Sequence, residues 1–288
     1  MMSILGIKNL TVCINKMDLV DYDEKRYLQV VDKLSSFARR LGFPSSRLVF
    51  IPLSASAGDN VTAASKNTPW YEGKPLLELL ETIDIPQASD AAPFRFSVQL
   101  VLRSKLPQYH DYRSYAGKIA GGTVHIGDNV VLLPSRITTS VTGIDLYGEE
   151  IQFAQAGEMV SIRLEKDLDL SRGDMIVKEG QLPNVSRTVD ARLCWLHERP
   201  AKVGSRYLLQ HGVRRVDARI DAIRFVIHPE SLEATQGVET LSLNDIGDVT
   251  ITTAAELFYD SYRENKANGA FIVIDETANH TVAVGFLS

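Results

Sequence analysis

A change of hydrophobic period near residue 85 constrains this chain more than any other feature. Before it, apolar runs alternate with helical stripes; after it, long helical periodicity is largely gone. Leu10-Thr11-Val12-Cys13-Ile14 is a short, nearly continuous apolar run, the pattern of a strand covered on both faces in a parallel sheet. Tyr27, Val30, Val31, Leu34, Phe37, Ala38 and Leu41 recur at helical spacing, and Gly42 and Pro44 stop that helix. Leu48-Val49-Phe50-Ile51 reads as a second strand ending at Pro52, and a short helix is expected around Pro75–Glu81. Strand, helix, strand, helix is the order of a parallel α/β unit.

Ile85 to Pro93 has linker composition. Beyond Phe94, short β-rich runs alternate with Gly-Asp and Gly-Gly turns, predicting strands at Ser97–Leu102, Tyr115–Ala120, Asn129–Leu133, Met159–Leu164 and Met175–Val177. A second boundary is expected near Pro183-Asn184-Val185, followed by strands at Asp190–Leu196, Arg206–Leu209, Ala218–Val226, Gly247–Thr252 and Ala270–Asp275. The expected fold class is multidomain, α/β plus all-β: a partial parallel-sheet domain over 1–88, then two barrel or sandwich domains over 93–182 and 186–288.

Composition narrows the function classes. With 44% hydrophobic and 23% charged residues, the 288-residue chain has the make-up of an ordinary soluble protein. Its net charge of −5 gives no global attraction to nucleic acid or anionic lipid, so neither a nucleic-acid partner nor a membrane is expected. No apolar run approaches the length of a membrane span, and the first residues lack the pattern of a signal peptide. Cys13 and Cys194 match no metal or disulfide spacing and are expected to be reduced, packed in strands and cytoplasmic.

Two loops carry recognisable chemistry. Asn15-Lys16-Met17-Asp18 fits Asn-Lys-x-Asp at the C-terminal end of the first expected strand, where open α/β sheets bind ligands. An ionised Asp18 accepts hydrogen bonds from the ring N1–H and exocyclic amine of guanine, an acceptor-only match that adenine does not offer. Asn15 can donate to the base and tie the loop together, and the Lys16 stem can lie over the base plane. One strand–helix unit later comes Ser54-Ala55-Ser56, the place from which GTPases offer the Ala backbone N–H to guanine O6. Either motif alone also suits an ordinary capped turn; the two in order, each after a strand, point to a guanine site made by Asn15, Lys16, Met17, Asp18, Ser54, Ala55 and Ser56. No Gly-x-x-x-x-Gly-Lys-[Ser/Thr] occurs in these residues, so neither a phosphate cradle nor a Mg²⁺-binding hydroxyl is identified. Asp145-Leu146-Tyr147-Gly148 matches the Mg²⁺ motif Asp-x-x-Gly, but its place among barrel strands predicts a hairpin turn.

These segments, with Gly58-Asp59-Asn60-Val61, Pro69-Trp70-Tyr71-Glu72-Gly73, Pro93-Phe94-Arg95-Phe96, Ser171-Arg172-Gly173-Asp174-Met175, Leu243-Asn244-Asp245-Ile246-Gly247 and Phe271-Ile272-Val273-Ile274-Asp275, resemble the large GTP-binding subunit of sulfate adenylyltransferase. That family lies in the translation-factor GTPase superfamily. The resemblance covers essentially all 288 residues, and the Trp-Tyr-Glu-Gly and Asn-Asp-Ile-Gly segments favour this branch over elongation factor Tu. It implies a G domain, here N-terminally truncated, followed by two elongation-factor-like β-barrels. It also implies GTP or GDP as ligand, with Mg²⁺ in the intact family member, and a heterodimer with a small catalytic subunit. That complex makes adenosine 5′-phosphosulfate and pyrophosphate from ATP and sulfate and couples the reaction to GTP hydrolysis. The adenylyl-transfer chemistry belongs to the small subunit, so no catalytic residue is expected here, and the chain alone is expected to be inactive. Ser56 stands where many relatives have Leu or Lys, a small departure because the contact there is from backbone.

Two alternatives stand beside this reading: a translation elongation-factor-like GTPase, against which the branch-like segments argue, and a non-catalytic β-barrel interaction module, which suits the behaviour of the isolated chain. The scattered histidines, His110, His125, His197, His211, His228 and His280, show no metal spacing. Arg214-Arg215, with Arg206, Arg219 and Arg224, is the densest basic region, either solvated strand faces or a docking patch for an acidic partner.

Overall fold

The computed structural model describes residues 5–7, 9–40, 42–83, 92–103, 113–227 and 234–288. Residues 85–91 of the expected linker, Leu41, His110 and His228 lie outside them. Two units emerge, residues 1–87 and 88–288.

In the first unit the two apolar runs pair as parallel strands, β1 (Leu10–Ile14) and β2 (Leu48–Pro52), in register from Leu10 opposite Leu48 to Ile14 opposite Pro52. Parallel neighbours need a crossover, and α1 (Glu24–Arg40) supplies it. Tyr27 fixes the helix to the sheet: its hydroxyl donates to the Phe50 carbonyl at 3.0 Å, and its ring lies 5.1 Å from that of Trp70. Gly42 ends the helix at φ +86, with its own N–H on the Arg39 carbonyl and the Phe43 N–H on the Ala38 carbonyl. These are the two bonds of a Schellman stop, and Ala38 and Phe43, the positions that such a stop pairs, are both buried. A short helix, α2 (Leu76–Thr82), closes the unit.

The expectation of a strand covered on both faces is corrected here. Most of β1 is half-buried and Cys13 is exposed, whereas Cys194 is buried. Among the described residues β1 has β2 as its one neighbour, so its outer face has less cover than that of a central strand. On α1 only Tyr27 and Ala38 are fully buried, and Leu34 and Phe37 of the apolar stripe remain exposed.

The second unit is all β. Its first half comprises β3 (Arg95–Arg103), β4 (Arg113–Gly121), β5 (Thr123–His125), β6 (Asn129–Leu133), β7 (Ile137–Leu146), β8 (Glu149–Ile151), β9 (Phe153–Gln155), β10 (Met159–Leu164) and β11 (Met175–Lys178). Strands β3, β4, β10, β7, β6 and β11 form a closed antiparallel ring, around a core that includes Phe96, Val98, Tyr115, Leu132, Ile144, Ile162 and Ile176. The Asp145–Gly148 segment makes the hairpin between β7 and β8, with Tyr147 and Gly148 both at positive φ (53 and 89), as a tight two-residue turn requires.

The second half comprises β12 (Asn184–Trp195), β13 (Ala201–Lys202), β14 (Arg206–His211), β15 (Arg214–Ile227), β16 (Ala234–Gln236), β17 (Thr240–Leu241), β18 (Ile246–Tyr259), β19 (Ala270–Ile274) and β20 (Thr281–Leu287). Here β12, β18, β15, β14, β19 and β20 close a second six-stranded ring, filled by Trp195, Leu209, Val249, Leu257, Phe271 and their neighbours. Closure pairs the ring strands on both edges and so removes the templates for aggregation that open sheets carry.

The two barrels are joined by buried chemistry. Phe258 of β18 packs with Leu133, Met175 and Val177 of the first barrel. Beside that cluster, Arg95 at the start of β3 makes a bidentate ion pair with Asp260 just beyond β18; the shortest bond, Nη2 to Oδ1, is 2.8 Å. Asn268 Nδ2 donates to the other Asp260 oxygen at 2.8 Å, and Arg95 Nη1 donates to the carbonyls of Phe94 and Gln181.

Candidate functional site

The C-terminal ends of β1 and β2 lie side by side, so the loops that leave them are neighbours. Backbone bonds lock that proximity: Leu53 N–H donates to the Ile14 carbonyl at 2.9 Å, and Met17 N–H to the Leu53 carbonyl at 3.2 Å. The side chain of Met17, 2% exposed, anchors the first loop in the interior. Lys16 then adopts the left-handed conformation (φ 65, ψ 36), and a single 3₁₀ turn, Met17–Val20, follows.

Asn15 joins the two loops. Its Oδ1 accepts the backbone N–H of Lys16 at 2.7 Å and that of Ala55, across the gap, at 3.0 Å. With Oδ1 committed to two donors, the orientation of the amide is set and Nδ2 is free to donate outward. Asp18 has the opposite character: its Oδ1 is shielded from solvent and has no hydrogen-bond partner. A buried carboxylate oxygen without a donor costs free energy, because desolvation is not offset by a bond.

The second loop has its own framework. Ser54 is fully buried; its carbonyl accepts the N–H groups of Gly58 and Asp59, and its Oγ accepts that of Ala57 and lies 3.2 Å from Ser56 Oγ. Ser54 therefore shapes the loop, while Ala55, Ser56, Ala57 and Gly58 are exposed. Asn60, at φ 56, is buried and donates to the Pro52 carbonyl at 2.7 Å and to Thr68 Oγ1 at 2.8 Å. Tyr22 O–H donates to Asp59 Oδ2 at 2.5 Å, and Ser65 O–H donates to Asp59 Oδ1 at 2.5 Å. The Ser65 and Tyr22 bonds hold the Asp59 carboxyl below its usual range, and the bond to Asp59 pushes the Tyr22 phenol up. Sequence reasoning did not single out Tyr22, Asn60 or Ser65 as supports. Their signal was there only as Gly58-Asp59-Asn60, a turn-rich stretch of the kind that places side chains on backbone groups.

The structure thus brings Asn15, Lys16, Met17, Asp18, Ser54, Ala55 and Ser56 into two abutting loops at one end of the parallel pair. Chemically the site offers an unpaired carboxylate acceptor and the Asn15 amide donor, while the Ala55 N–H is taken up by Asn15 Oδ1. That donor–acceptor set fits a flat, polar heterocycle with adjacent N–H groups and a carbonyl. Among the described residues no group of three or more His, Cys, Asp or Glu is arranged to hold a metal ion, and no helix is long and apolar enough to cross a membrane.

Comparison with known proteins agrees with this architecture. Residues 188–288 match the family described as GTP-eEF1A C-terminal domain-like. Over 287 residues the chain is 41% identical to sulfate adenylyltransferase subunit 1 of Bacteroides fragilis (strain YCH46), covering 100% of this chain and 59% of that protein. It is 38% identical over 285 residues to the bifunctional enzyme NodQ of Rhizobium meliloti (strain 1021), covering 99% of this chain and 43% of that protein. A crystal structure of Sup35 complexed with GMPPNP superposes with a TM-score of 0.63 at 25% identity, covering 98% of this chain and 69% of that one. The S. cerevisiae Ski7 GTPase-like domain, bound to GTP, shares the fold at a TM-score of 0.54 and 15% identity. The 288 residues span about three-fifths of the length of the subunit 1 relatives they match. Over its whole length the chain is similar to sulfate adenylyltransferase subunit 1, and it shares the fold of the translation-factor GTPases.

Proposed function

We propose that the two loops are the guanine-reading end of a nucleotide site, and that the chain is part of a GTP-binding regulatory subunit of sulfate adenylyltransferase. The observation that carries the first half is the solvent-shielded, unpartnered Asp18 Oδ1. It sits in the Asn-Lys-x-Asp loop, beside an Asn15 whose Oδ1 holds the Lys16 N–H and the Ala55 N–H of the adjoining loop. In this arrangement Asp18 accepts from the amidine edge of guanine and Asn15 donates to its carbonyl side. Lys16 covers the plane, Met17 holds the loop down, and Ser54, Ala55 and Ser56 form the opposite rim.

The second half rests on identity of about 40% to subunit 1 relatives over the whole chain, against 25% to Sup35, which favours sulfate activation over translation. On this reading residues 1–88 belong to a G domain, and 93–182 and 186–288 are its two companion barrels. In the intact family member GTP is hydrolysed with Mg²⁺, by groups outside the motifs found in these 288 residues. The partner is a small catalytic subunit that makes adenosine 5′-phosphosulfate from ATP and sulfate in the cytoplasm.

Base recognition is testable on the chain as it stands. Addition of guanosine monophosphate is expected to shift the backbone amide signals of Asp18 and Ala55, and adenosine monophosphate is not. Asp18→Asn removes a charge-assisted pair, about 1.5–3 kcal/mol, and is expected to weaken guanosine binding roughly tenfold or more while admitting xanthosine monophosphate. Equal shifts with both purines would remove the guanine assignment. Failure to co-purify with a co-expressed small adenylyltransferase subunit would count against the sulfate-activating role.

A further inference from the structure

The molecule has a second feature that the guanine loops do not explain. At the seam between the barrels, the turn before β11 faces the hairpin between β14 and β15 across an open groove of about 680 Å³. Three arginines line it, Arg172 from the first barrel and Arg214 and Arg215 from the second, against one carboxylate, Asp174.

What holds those guanidinium groups is mostly neutral. Arg172 Nη1 donates to the Gln99 carbonyl at 3.0 Å. Arg215 Nε donates to Gln210 Oε1 at 2.6 Å. Arg214 Nη1 donates to the Gly173 carbonyl at 3.3 Å, and its guanidinium lies 4.9 Å from the ring centre of Phe258. A carbonyl, an amide and a ring fix an arginine in place without cancelling its charge. Asp174 stands 3.9 Å from Arg214, at the limit of an ion pair. Burial pushes its carboxyl above the usual range. Elsewhere on the second barrel the pattern is different: Arg224 binds both Asp190 and Asp248. The groove is therefore a preorganised cluster of under-neutralised positive charge on a chain whose net charge is −5.

We propose that this inter-barrel groove binds an acidic peptide segment of a partner protein, with Arg172 and Arg215 receiving its carboxylates and Arg214 bridging the two barrels beneath it. Size and lining select the ligand class. A single inorganic anion would fill a small part of the groove. Nucleic acid would meet an overall negative chain, and the lining has no aromatic residue on which to stack a base. Val216 and Ala255 add apolar surface, which suits a peptide whose carboxylates alternate with small apolar side chains. Arg is suited to such a role because its planar fork takes a carboxylate bidentately. The inference does not depend on the guanine loops.

The probe is a fluorescein-labelled peptide of alternating Glu and Ala, titrated by anisotropy into the full chain at low and moderate salt. Binding is expected, weakening steeply with ionic strength. The double variant Arg172→Glu/Arg215→Glu is expected to lose roughly tenfold or more, with an unchanged thermal melt. Arg206→Glu/Arg219→Glu, an equal charge change on the second barrel outside the groove, is expected to lose far less. Asp174→Asn is expected to bind the peptide more tightly, a gain that damage to the fold would not produce. No binding at low salt, equal loss in both double variants, or an oligothymidylate bound as tightly through the same arginines would each overturn the proposal.

Discussion

Asp260→Ala is the substitution with the largest consequence that the structure supports. The Arg95 side chain is 3% exposed, and its guanidinium makes three contacts to the Asp260 carboxylate, at 2.8, 2.9 and 3.1 Å. Removing the carboxylate strands a buried cation whose other acceptors are the Phe94 and Gln181 carbonyls. Breaking one side of such a pair costs about 3–5 kcal/mol, most of it from the unmatched charge rather than the lost bonds. Arg95→Met is expected to fall at the lower end of that range, because Asn268 still donates to Asp260 at 2.8 Å. The double replacement Arg95→Met/Asp260→Leu removes both charges and is expected to cost less than the sum of the singles by about 0.5–3 kcal/mol. The pair also joins two barrels, so its loss affects cooperativity. Native-state hydrogen exchange reads both effects. In the parent chain the slowest amides of β6 and β18 are expected to share one opening free energy; in Asp260→Ala they are expected to separate. Single substitutions costing under about 1 kcal/mol, or strict additivity in the cycle, would refute the coupling.

Two further outcomes follow from other contacts. Asn15→Ala frees the N–H groups of Lys16 and Ala55 together, and at this exposed position the loss is expected to cost about 1 kcal/mol. Faster exchange at the Ala55 amide, with β1 and β2 unchanged, checks it; unchanged exchange there would mean that Asn15 does not tie the loops. His211 is buried with its Nε2 2.8 Å from the Asn268 carbonyl, and burial depresses its pKa; the bond and nearby Asp260 oppose that shift, and Arg214 adds to it. The unfolded chain then binds this proton more readily than the folded one, so the contribution of His211 to stability is complete above the ordinary imidazole value of about 6.5 and declines as pH falls below it. Urea unfolding between pH 7.5 and 5.5 is expected to show that decline in the parent chain and a shallower one in His211→Gln; identical slopes would exclude His211 as the source.

Much of this architecture was legible because local signals agreed. Leu10–Ile14 and Leu48–Ile51 are apolar runs bounded by turn residues, and β1 and β2 occupy nearly the same spans. Asn129–Leu133 and Met159–Leu164 became β6 and β10 without change of boundary. Sequence reading failed where the inward face is not apolar. Strand β7, Ile137–Leu146, buries Thr139 and puts Gly143 on its ring, so no alternation of apolar and polar residues announced it. The long strands β15 and β18 were expected several residues short, because Arg214, Arg215 and Asp217 in β15 and Glu256 in β18 interrupt the apolar run, although Val216 and Leu257 among the missed residues reach the core. Cys13 was misplaced for the converse reason: an apolar run does not say how many neighbours its strand has.

The same distinction separates the two sites. The proposed guanine site draws on two short loops whose residues are contiguous, so the chemistry of Asn15–Asp18 and Ser54–Ser56 is written within a few positions and needs only a parallel strand pair to bring it together. The seam between the barrels draws on residues far apart in sequence. Arg95 meets Asp260 across 165 positions, and Arg172 comes to face Arg214 and Arg215 only because two rings close and then pack. In the sequence, Arg214-Arg215 could be grouped only with Arg206, Arg219 and Arg224, its neighbours along the chain. The structure regroups it. Arg219 bonds Asp221, and Arg224 is committed to Asp190 and Asp248. Arg172, from the other barrel, joins the pair at the groove. Which arginines keep an available charge is thus decided by the carboxylates that folding places beside them, and density along the chain is a poor guide to it.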